Sequence, residues 1–370
     1  MMNWGLIGGG KGSQIGEPHR IAARIDGLFT LKAGALDVDP AAGKAFASEL
    51  GIESSRAYGD WREMLAAERN KTGKDRLDLV TVATPNNTHF EITKAFLESG
   101  FNVLCEKPLT MTVAEAEELV RVAGASAKVC AVNFGYSGYP MAIQAREMIR
   151  RGDLGDIRVV VGEFSHGFHA GGDDADNPRL RWRYDPAQAG VSAIVADVGV
   201  HVFQMAEFMT GQKLTQLSAQ MDHCVASRQL EDDALIAGRF DGKAIGRFWL
   251  SAVATGQQHG FNIRVFGSKG GLRWWQEQPN QLWFGPLNGR AQTIERGSAD
   301  LYPEARDASR ITQGHAEGML IAFANIYRGI HRRISGGQGL FPTVEEGAAM
   351  VRAVHAAVAS GATQGKWVDV

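Results

Sequence analysis

The chain is poor in cysteine. Its 370 residues hold three, Cys105, Cys130 and Cys224, an odd number with no CxxC spacing. That argues against a disulfide framework and against a zinc site; Cys105 and Cys130, each in an apolar run, read as small core hydrophobes. An excess of charge of one sign is also lacking. The 39 basic and 41 acidic residues leave a formal net charge of −2, so no polyanionic partner is implied. No apolar run approaches the roughly 18 residues of a membrane-spanning helix, and Met1 to Ile7 has neither the basic start nor the long apolar centre of a secretory leader. A cytoplasmic location is therefore expected, in which the sequons at Asn70 and Asn86 carry no meaning. No Pro- or Ser-rich linker, internal repeat or low-complexity tract divides the chain.

What is present is an apolar content of 44% against 22% charged residues, in a chain too long for one comfortable core. Two domains are expected. From residue 3 to about 133, the short apolar runs Trp4–Ile7, Leu31–Leu36, Leu77–Ala83, Asn102–Cys105 and Lys128–Val132 alternate with helix-like segments, the pattern of a parallel sheet covered by crossover helices. Asp60 with Glu63 and Thr112 with Glu115 have capping-box spacing, and Gly100 stops a helix over Glu91–Ser99. Beyond Arg151-Gly152 the runs lengthen and partly alternate in steps of two: Ile157–Phe164, Leu235–Phe240, Ala244–Ala252 and Asn262–Phe266, with Asp241-Gly242 as a hairpin turn. Two helices, His315 to about Arg333 and Val344 to about Ala359, the second opened by Thr343 with Glu346, close the chain. The predicted architecture is an α/β doubly wound domain over 1–133 followed by an α+β, mostly antiparallel sheet domain over 134–370.

The first run ends in Gly8-Gly9-Gly10-Lys11-Gly12-Ser13-Gln14-Ile15-Gly16, with Pro18 at an early helical position. Gly8 and Gly10 fit the first two positions of a dinucleotide fingerprint and Gly16 the third, in a loop about three residues longer than usual. Gly8, Gly10, Lys11, Gly12, Ser13, Gln14 and Ile15 are thereby candidates to line a pyrophosphate, whose charge the amides at a helix N-terminus meet. Asp37, with Asp39 two residues on, follows the second run. A carboxylate there accepts from ribose hydroxyls and repels a 2'-phosphate, which favours NAD over NADP; a solvated turn residue before Pro40 is the alternative. Lys11, able to reach a phosphate, keeps NADP as the lesser choice.

Three further motifs stand at run ends and a helix start: Thr84-Pro85-Asn86-Asn87-Thr88-His89, Glu106-Lys107-Pro108 and Asp197-Val198-Gly199-Val200-His201. Their order and spacing, with the Gly-rich start, resemble the glucose-fructose oxidoreductase/inositol dehydrogenase (Gfo/Idh/MocA) family over nearly the whole chain. The resemblance implies a Rossmann domain joined to an open-faced sheet domain, with homodimers or homotetramers formed through that sheet. It further implies that Thr84, Pro85, Asn86 and His89 pass along the cofactor, with Glu106 and Lys107 following, and that Asn133 lies beside nicotinamide and substrate. Phe134-Gly135-Tyr136 departs from the commoner Tyr-Arg pattern and leaves the substrate class open. Leu180-Arg181-Trp182-Arg183 and Gly314-His315-Ala316-Glu317 are similar to segments of sugar- and inositol-oxidising members in which an arginine and a histidine touch substrate hydroxyls. Arg183 and His315 are candidates on that basis; a surface salt bridge and a helix N-terminal residue are the plain alternatives.

Lys107 precedes a proline and is held out of helical conformation, which projects its amine from the carboxyl edge of the sheet, where it can polarise a substrate oxygen. Asp197 and His201, four residues apart, share one helical face. The imidazole can take a hydroxyl proton while the carboxylate orients it or binds a neighbouring hydroxyl; a helix cap and a core histidine are the alternatives. His166 and His169 lie in a polar stretch running on to Asp173, Asp174 and Asp176 without metal-ligand spacing, so a solvated loop or lid, and no metal, is expected. Trp249, Trp274, Trp275 and Trp283 suit sheet packing or subunit contact. The expected activity is NAD-dependent oxidation of a secondary hydroxyl of a cyclic polyol or sugar, with Lys107, Asp197 and His201 catalytic. An NAD-dependent glycosidase that oxidises its sugar transiently and a non-catalytic sugar or dinucleotide sensor are the rivals.

Overall fold

The structure, a computed structural model, describes residues 1–172, 177 and 181–370; Asp173, Asp174, Asp176 and Leu180, noted above, lie outside the described residues. The chain groups into two units, Met1–Gly138 with Met319–Ala348, and Tyr139–Gly318 with Ala349–Val370. A single change of pattern near residue 133 puts 319–348 in the second domain, whereas here that segment returns to the first.

In the first unit, β1 (Met2–Gly8), β2 (Phe29–Ala35), β3 (Leu79–Ala83), β4 (Asn102–Cys105) and β5 (Cys130–Val132) make one parallel sheet in the order β2-β1-β3-β4-β5. All five residues of β3 are buried, as a strand covered on both faces requires. The chain leaves β1 for β2 on one side and reaches β3 on the other. Strand order therefore reverses beside β1, and the carboxyl ends of β1 and β3 flank the crevice where ligands bind in such sheets. The crossovers carry α1 (Gly16–Ile25), α2 (Pro40–Glu49), α3 (Trp61–Glu68), α4 (His89–Glu98) and α5 (Val113–Ser126). Helix α5 opens on the full capping box, Glu115 N donating to Thr112 Oγ1 (3.2 Å) and Thr112 N to Glu115 Oε2 (3.0 Å). At α3 only half forms: Asp60 caps the amides of Arg62 and Glu63, but Glu63 reaches the Gly59 amide instead.

The helix Met319–Ile334 joins this unit through Tyr327, 1% exposed, whose ring meets Trp4 and Phe29 edge-on at 5.8 and 5.6 Å. It packs so closely that a Cβ on Gly135 would fall 2.3 Å from Phe323. It starts at Met319, four residues after the expected His315. The intervening turn is held otherwise: the Glu317 carboxylate accepts from the Arg310 and Ile311 amides (2.6 and 2.8 Å), and its own amide donates to Asn280.

In the second unit, β6 (Ile157–Ser165), β7 (Leu214–Asp222), β8 (Asp233–Phe240), β9 (Ile245–Ser251), β10 (Asn262–Gly267), β11 (Gly270–Trp275), β12 (Gln281–Pro286), β13 (Gln292–Glu295) and β14 (Val368–Asp369) form one sheet in the order β13-β12-β11-β10-β6-β9-β8-β7-β14. It is antiparallel except where β6 lies parallel to β9. The β8–β9 hairpin turns over Asp241, Gly242 and Lys243, and it is Lys243, at φ +72°, that takes the left-handed position expected of the glycine. One sheet face packs on α6 (Pro140–Arg150) and the helix Val200–Thr210, with Phe203 edge-on to Phe248 at 5.3 Å. Alternation turns Leu235, Ile245, Trp249 and Phe266 to the other face, where they are exposed. Trp274 is fully buried, edge-on to Phe261.

Under the first sheet's rim, the wholly buried Glu68 carboxylate receives Arg56 Nε (2.9 Å), Arg56 Nη2 (2.5 Å) and Tyr58 Oη (2.7 Å). Removing one member strands a buried charge. Glu68→Ala is expected to lower unfolding stability by about 3–5 kcal/mol, whereas replacing Arg56 and Glu68 together by apolar residues of similar volume recovers most of that loss in urea denaturation.

Candidate functional site

Gly8 and Gly9 end β1 at φ +74° and +65°. A Cβ on Gly8 would lie 2.4 Å from the Ala83 carbonyl oxygen, and one on Gly16 2.3 Å from that of Gly9. Glycine is thus what lets the turn press against the end of β3 and α1 against the turn. Ser13 Oγ accepts from Gly16 N (3.1 Å) and Ser13 N donates to Gly10 O (3.1 Å), while Ile15, at the N-cap position, supplies no side-chain cap. Gly12 turns at φ +78° and Gln14 faces outward. A Cβ on Gly10 would sit 2.9 Å from the Asp37 carboxylate, so Asp37 stands beside the loop. Asp39 caps α2 through the amides of Ala41 and Ala42. Lys11 instead makes an exposed ion pair with Glu49 at 2.8 Å, a contact worth little to stability. Arg20, unremarked in the sequence, donates to Gly9 O and lies over the Phe46 ring; burial lowers its pKa. A Gly8-Gly9-Gly10 turn without Cβ atoms, a helix start and an adjacent carboxylate fit a dinucleotide's pyrophosphate and ribose.

Past the Ala83 end of β3, Thr84, the exposed Pro85 and Asn86 lead through one 3-10 turn to His89, with Thr88 Oγ1 donating to Thr84 Oγ1 (2.7 Å). His89 is wholly enclosed. Its Nδ1 lies 2.7 Å from Pro108 O and its Nε2 2.9 Å from Thr84 O. Carbonyls only accept, so both ring nitrogens must donate, as in an imidazolium. Burial by itself lowers the pKa, but interaction with Cys105 and the two carbonyls outweighs it and raises the group to about 9. Expected along the cofactor, His89 instead braces the Thr84 loop against the turn that carries Lys107, whose peptide to Pro108 is cis.

Glu106 is likewise enclosed, at 7% exposure. Its Oε1 meets His19 Nε2 (2.8 Å) and Asn133 Nδ2 (2.5 Å), and its Oε2 accepts from Lys107 N (3.2 Å). Burial pushes its pKa up, yet His19 and Asn133 more than offset this and hold it below the usual carboxylate range. His19 Nδ1 continues to Tyr327 Oη (2.8 Å), and thence to Thr81 and Trp4. The half-buried Lys107 is therefore fixed on both sides, by Glu106 before it and by the His89-bound Pro108 after it. Asn133, 2% exposed, keeps a buried Oδ1 without a protein partner among the described residues.

In the second unit Asp197 sits in a π-wound turn, Val195–Gly199, that runs into the α-helix holding His201, so the simple α spacing assumed for the pair does not hold at its start. Its carboxylate pairs with Arg183 Nη1 at 2.7 Å, both side chains being partly exposed. His201 is 8% exposed, its ring centroid 6.2 Å from that of Phe164. The turn is held by the buried Glu231, whose Oε1 accepts from Ser192 Oγ, Ile194 N (3.0 Å) and Val195 N (3.3 Å). Next along, Asp232 pairs with Arg228 (2.9 Å), which donates to His169 O and lies over Tyr184. His166 and His169 are buried, not solvated: their amides donate to Ser251 O and Ala252 O beside the end of β9, and their rings pack on Phe164 and Phe168 and on Tyr184. His315 is exposed, bound to Thr312 through Nδ1 and to Arg296 through its carbonyl. The enclosed member of its segment is Glu317.

These two halves define an NAD-binding oxidoreductase. Residues 2–134 match the model described as oxidoreductase family, NAD-binding Rossmann fold, and residues 142–273 the GFO/IDH/MocA C-terminal domain; the chain belongs to the Gfo/Idh/MocA family. It is 38% identical to an uncharacterised oxidoreductase of Bacillus subtilis, YfiI, over 88% of this chain and 84% of that one. An inositol dehydrogenase homologue of Azotobacter vinelandii, solved with NAD+ and with NADH and myo-inositol, is 40% identical, with TM-scores of 0.95 and 0.92 over 100% of this chain and 97% of that one. Levoglucosan dehydrogenase of Pseudarthrobacter phenanthrenivorans is 25% identical over 100% of this chain and 98% of that one.

Because folding raises the His89 pKa from 6.5 to about 9, its contribution to stability is complete below about 6.5 and disappears as pH rises through about 9. His89→Ala is expected to cost about 2–4 kcal/mol at pH 6. The gap between wild type and variant should narrow by pH 10 in chemical denaturation; a gap constant with pH would show that the ring carries no charge.

Proposed function

We propose that the protein oxidises a secondary hydroxyl of a cyclic polyol or sugar, an inositol or an aldohexose, to the ketone or lactone with NAD. NAD, held by the Gly8–Gly16 loop with its ribose beside Asp37, would supply the acceptor for the hydride, with its two electrons, that leaves the substrate carbon. Lys107 meets the substrate oxygen and offsets the negative charge that grows on it as the C–H bond breaks. His201 takes the hydroxyl proton. Asp197, held by Arg183, fixes a neighbouring hydroxyl or the imidazole, and Arg183 presents its remaining donors to the ring's other oxygens. Asn133 Oδ1 offers an acceptor at the nucleotide half. Asp37 beside Gly10 suits an unphosphorylated ribose. One observation carries the reading: Lys107 is locked on both sides by buried groups, Glu106 and the His89-bound Pro108, a fixation that a surface lysine in a turn does not need but a group set against a reacting oxygen does.

The test is NADH formation at mildly alkaline pH across a panel of inositols and hexoses. Lys107→Ala is expected to lower kcat by about 10²–10³ and His201→Asn by about 10²–10⁴, with NAD affinity retained in both. No NADH from any member of the panel, or sugar released from a glycoside without NADH, would end this reading.

The exposed sheet face supports a second part of the proposal. Leu235 stands opposite Trp249 across β8–β9, and Ile245 and Phe266 both register with Val159, an apolar patch suited to the same face of another copy. Trp249→Glu is expected to convert a homodimer or homotetramer to monomer in light scattering; an unchanged mass would place the interface elsewhere.

A further inference from the structure

Phe168 is 57% exposed in a segment that is otherwise enclosed. The exposure does not come from a loose backbone. His166 N donates to Ser251 O (2.8 Å), Gly167 N to Gln257 O (3.1 Å) and His169 N to Ala252 O (3.1 Å). A Cβ on Gly167 would fall 2.8 Å from the Ala254 carbonyl oxygen, so the chain on both sides of Phe168 is pinned to the residues around the end of β9. The phenyl ring stacks on His166 (centroids 5.0 Å, 27°) and stands edge-on to His259 (5.5 Å, 75°). Both imidazoles meet Phe164, at 6.4 and 5.9 Å, and Phe164 in turn meets His201 at 6.2 Å. A continuous chain of ring contacts therefore runs from the buried His201, Phe164 and His166 to the half-buried His259 and comes to the surface at Phe168. Burial holds His166 down to about 4 and lowers His259 as well. At neutral pH both rings are uncharged, each with one donor and one acceptor nitrogen; the His166 Nδ1 acceptor is taken by the Phe168 amide (3.4 Å), which leaves its Nε2 as a donor.

A cyclic polyol carries hydroxyls around its rim and a flat patch of C–H bonds on its face, and aromatic rings pair with such patches by dispersion and weak C–H contacts. An open-chain polyol presents no comparable face. Resting on the function proposed above, we propose that Phe168, with His166 and His259, forms the wall that takes the C–H face of a ring-shaped substrate and so sets a preference for cyclic over open-chain polyols. His166 donates from Nε2 to a rim hydroxyl, His259 exchanges hydrogen bonds with another, and Arg183 and Asp197 supply the charged partners.

Steady-state oxidation of myo-inositol and of glucitol, an open-chain hexitol, with NAD by wild type, Phe168→Ala and Phe168→Tyr tests this. For Phe168→Ala the KM for myo-inositol is expected to rise on the order of tenfold, the change falling on KM more than kcat, while glucitol is affected far less. Phe168→Tyr keeps the ring and should restore the cyclic preference. An unchanged KM for myo-inositol, or an equal rise for both polyols, overturns the wall. Should wild type oxidise neither, the proposed reaction falls by itself, and calorimetric binding of myo-inositol to the NADH-loaded protein decides the wall: affinity about tenfold weaker in Phe168→Ala upholds it, and equal or undetectable binding overturns it.

Discussion

The nucleotide-binding unit is organised around one buried charge, the carboxylate of Glu106. A carboxylate taken out of water is tolerated only when paired and hydrogen-bonded, and the partners it finds come from well-separated parts of the chain: His19 on the helix after the Gly-rich loop, Asn133 after β5, and the amide of Lys107 itself. His19 extends the set to Tyr327, on a helix some 300 residues along the chain. Satisfying one group thus fixes the loop helix, the end of the sheet and the lysine in a single arrangement. Glu106 acts through this positioning, since both its oxygens are already engaged by protein.

The second unit uses the same device. Glu231 and Asp232, adjacent at the start of β8, are both enclosed; one holds the π-wound turn that carries Asp197, and the other holds Arg228, which reaches the His169 carbonyl and the Tyr184 ring. Arg183, next to Tyr184, then meets Asp197. Buried carboxylates beside Lys107 and Asp197 hold the backbone that carries them, while those two side chains stay partly exposed and His201 is enclosed. That division lets a site be rigid and still open to substrate.

Much of this was legible in the residues. Five strand-like runs and their order, the caps at Thr112 and Thr343, and the glycine loop at the first turn all rest on local rules of period, capping and φ, and the structure has them. In the sheet unit, β6, β8, β9 and β10 were readable from alternation. Strands β11 to β13 are broken by glycine and by polar residues that face outward, and β14 is two residues long, so none carries a period. The parallel pairing of β6 with β9 is a long-range choice that no local pattern encodes. The motif residues separated in the same way. Gly8 and Gly16 take the close-packed positions that their local chemistry implies, whereas His89, His166 and His169 owe their burial to tertiary packing. Lys11 and His315 found surface partners that a linear reading does not show.

The sequence by itself determined the class of each half, because hydrophobic period, glycine placement and capping are properties of neighbouring residues, and it determined the chemistry on offer, an amine, a carboxylate and an imidazole. Tertiary structure alone decided which polar groups are enclosed and with whom. A buried charge selects its partners by distance and desolvation, and those depend on how the whole chain packs: hence Glu106 with His19, Glu231 under the turn of Asp197, and Phe168 left exposed against His166 and His259.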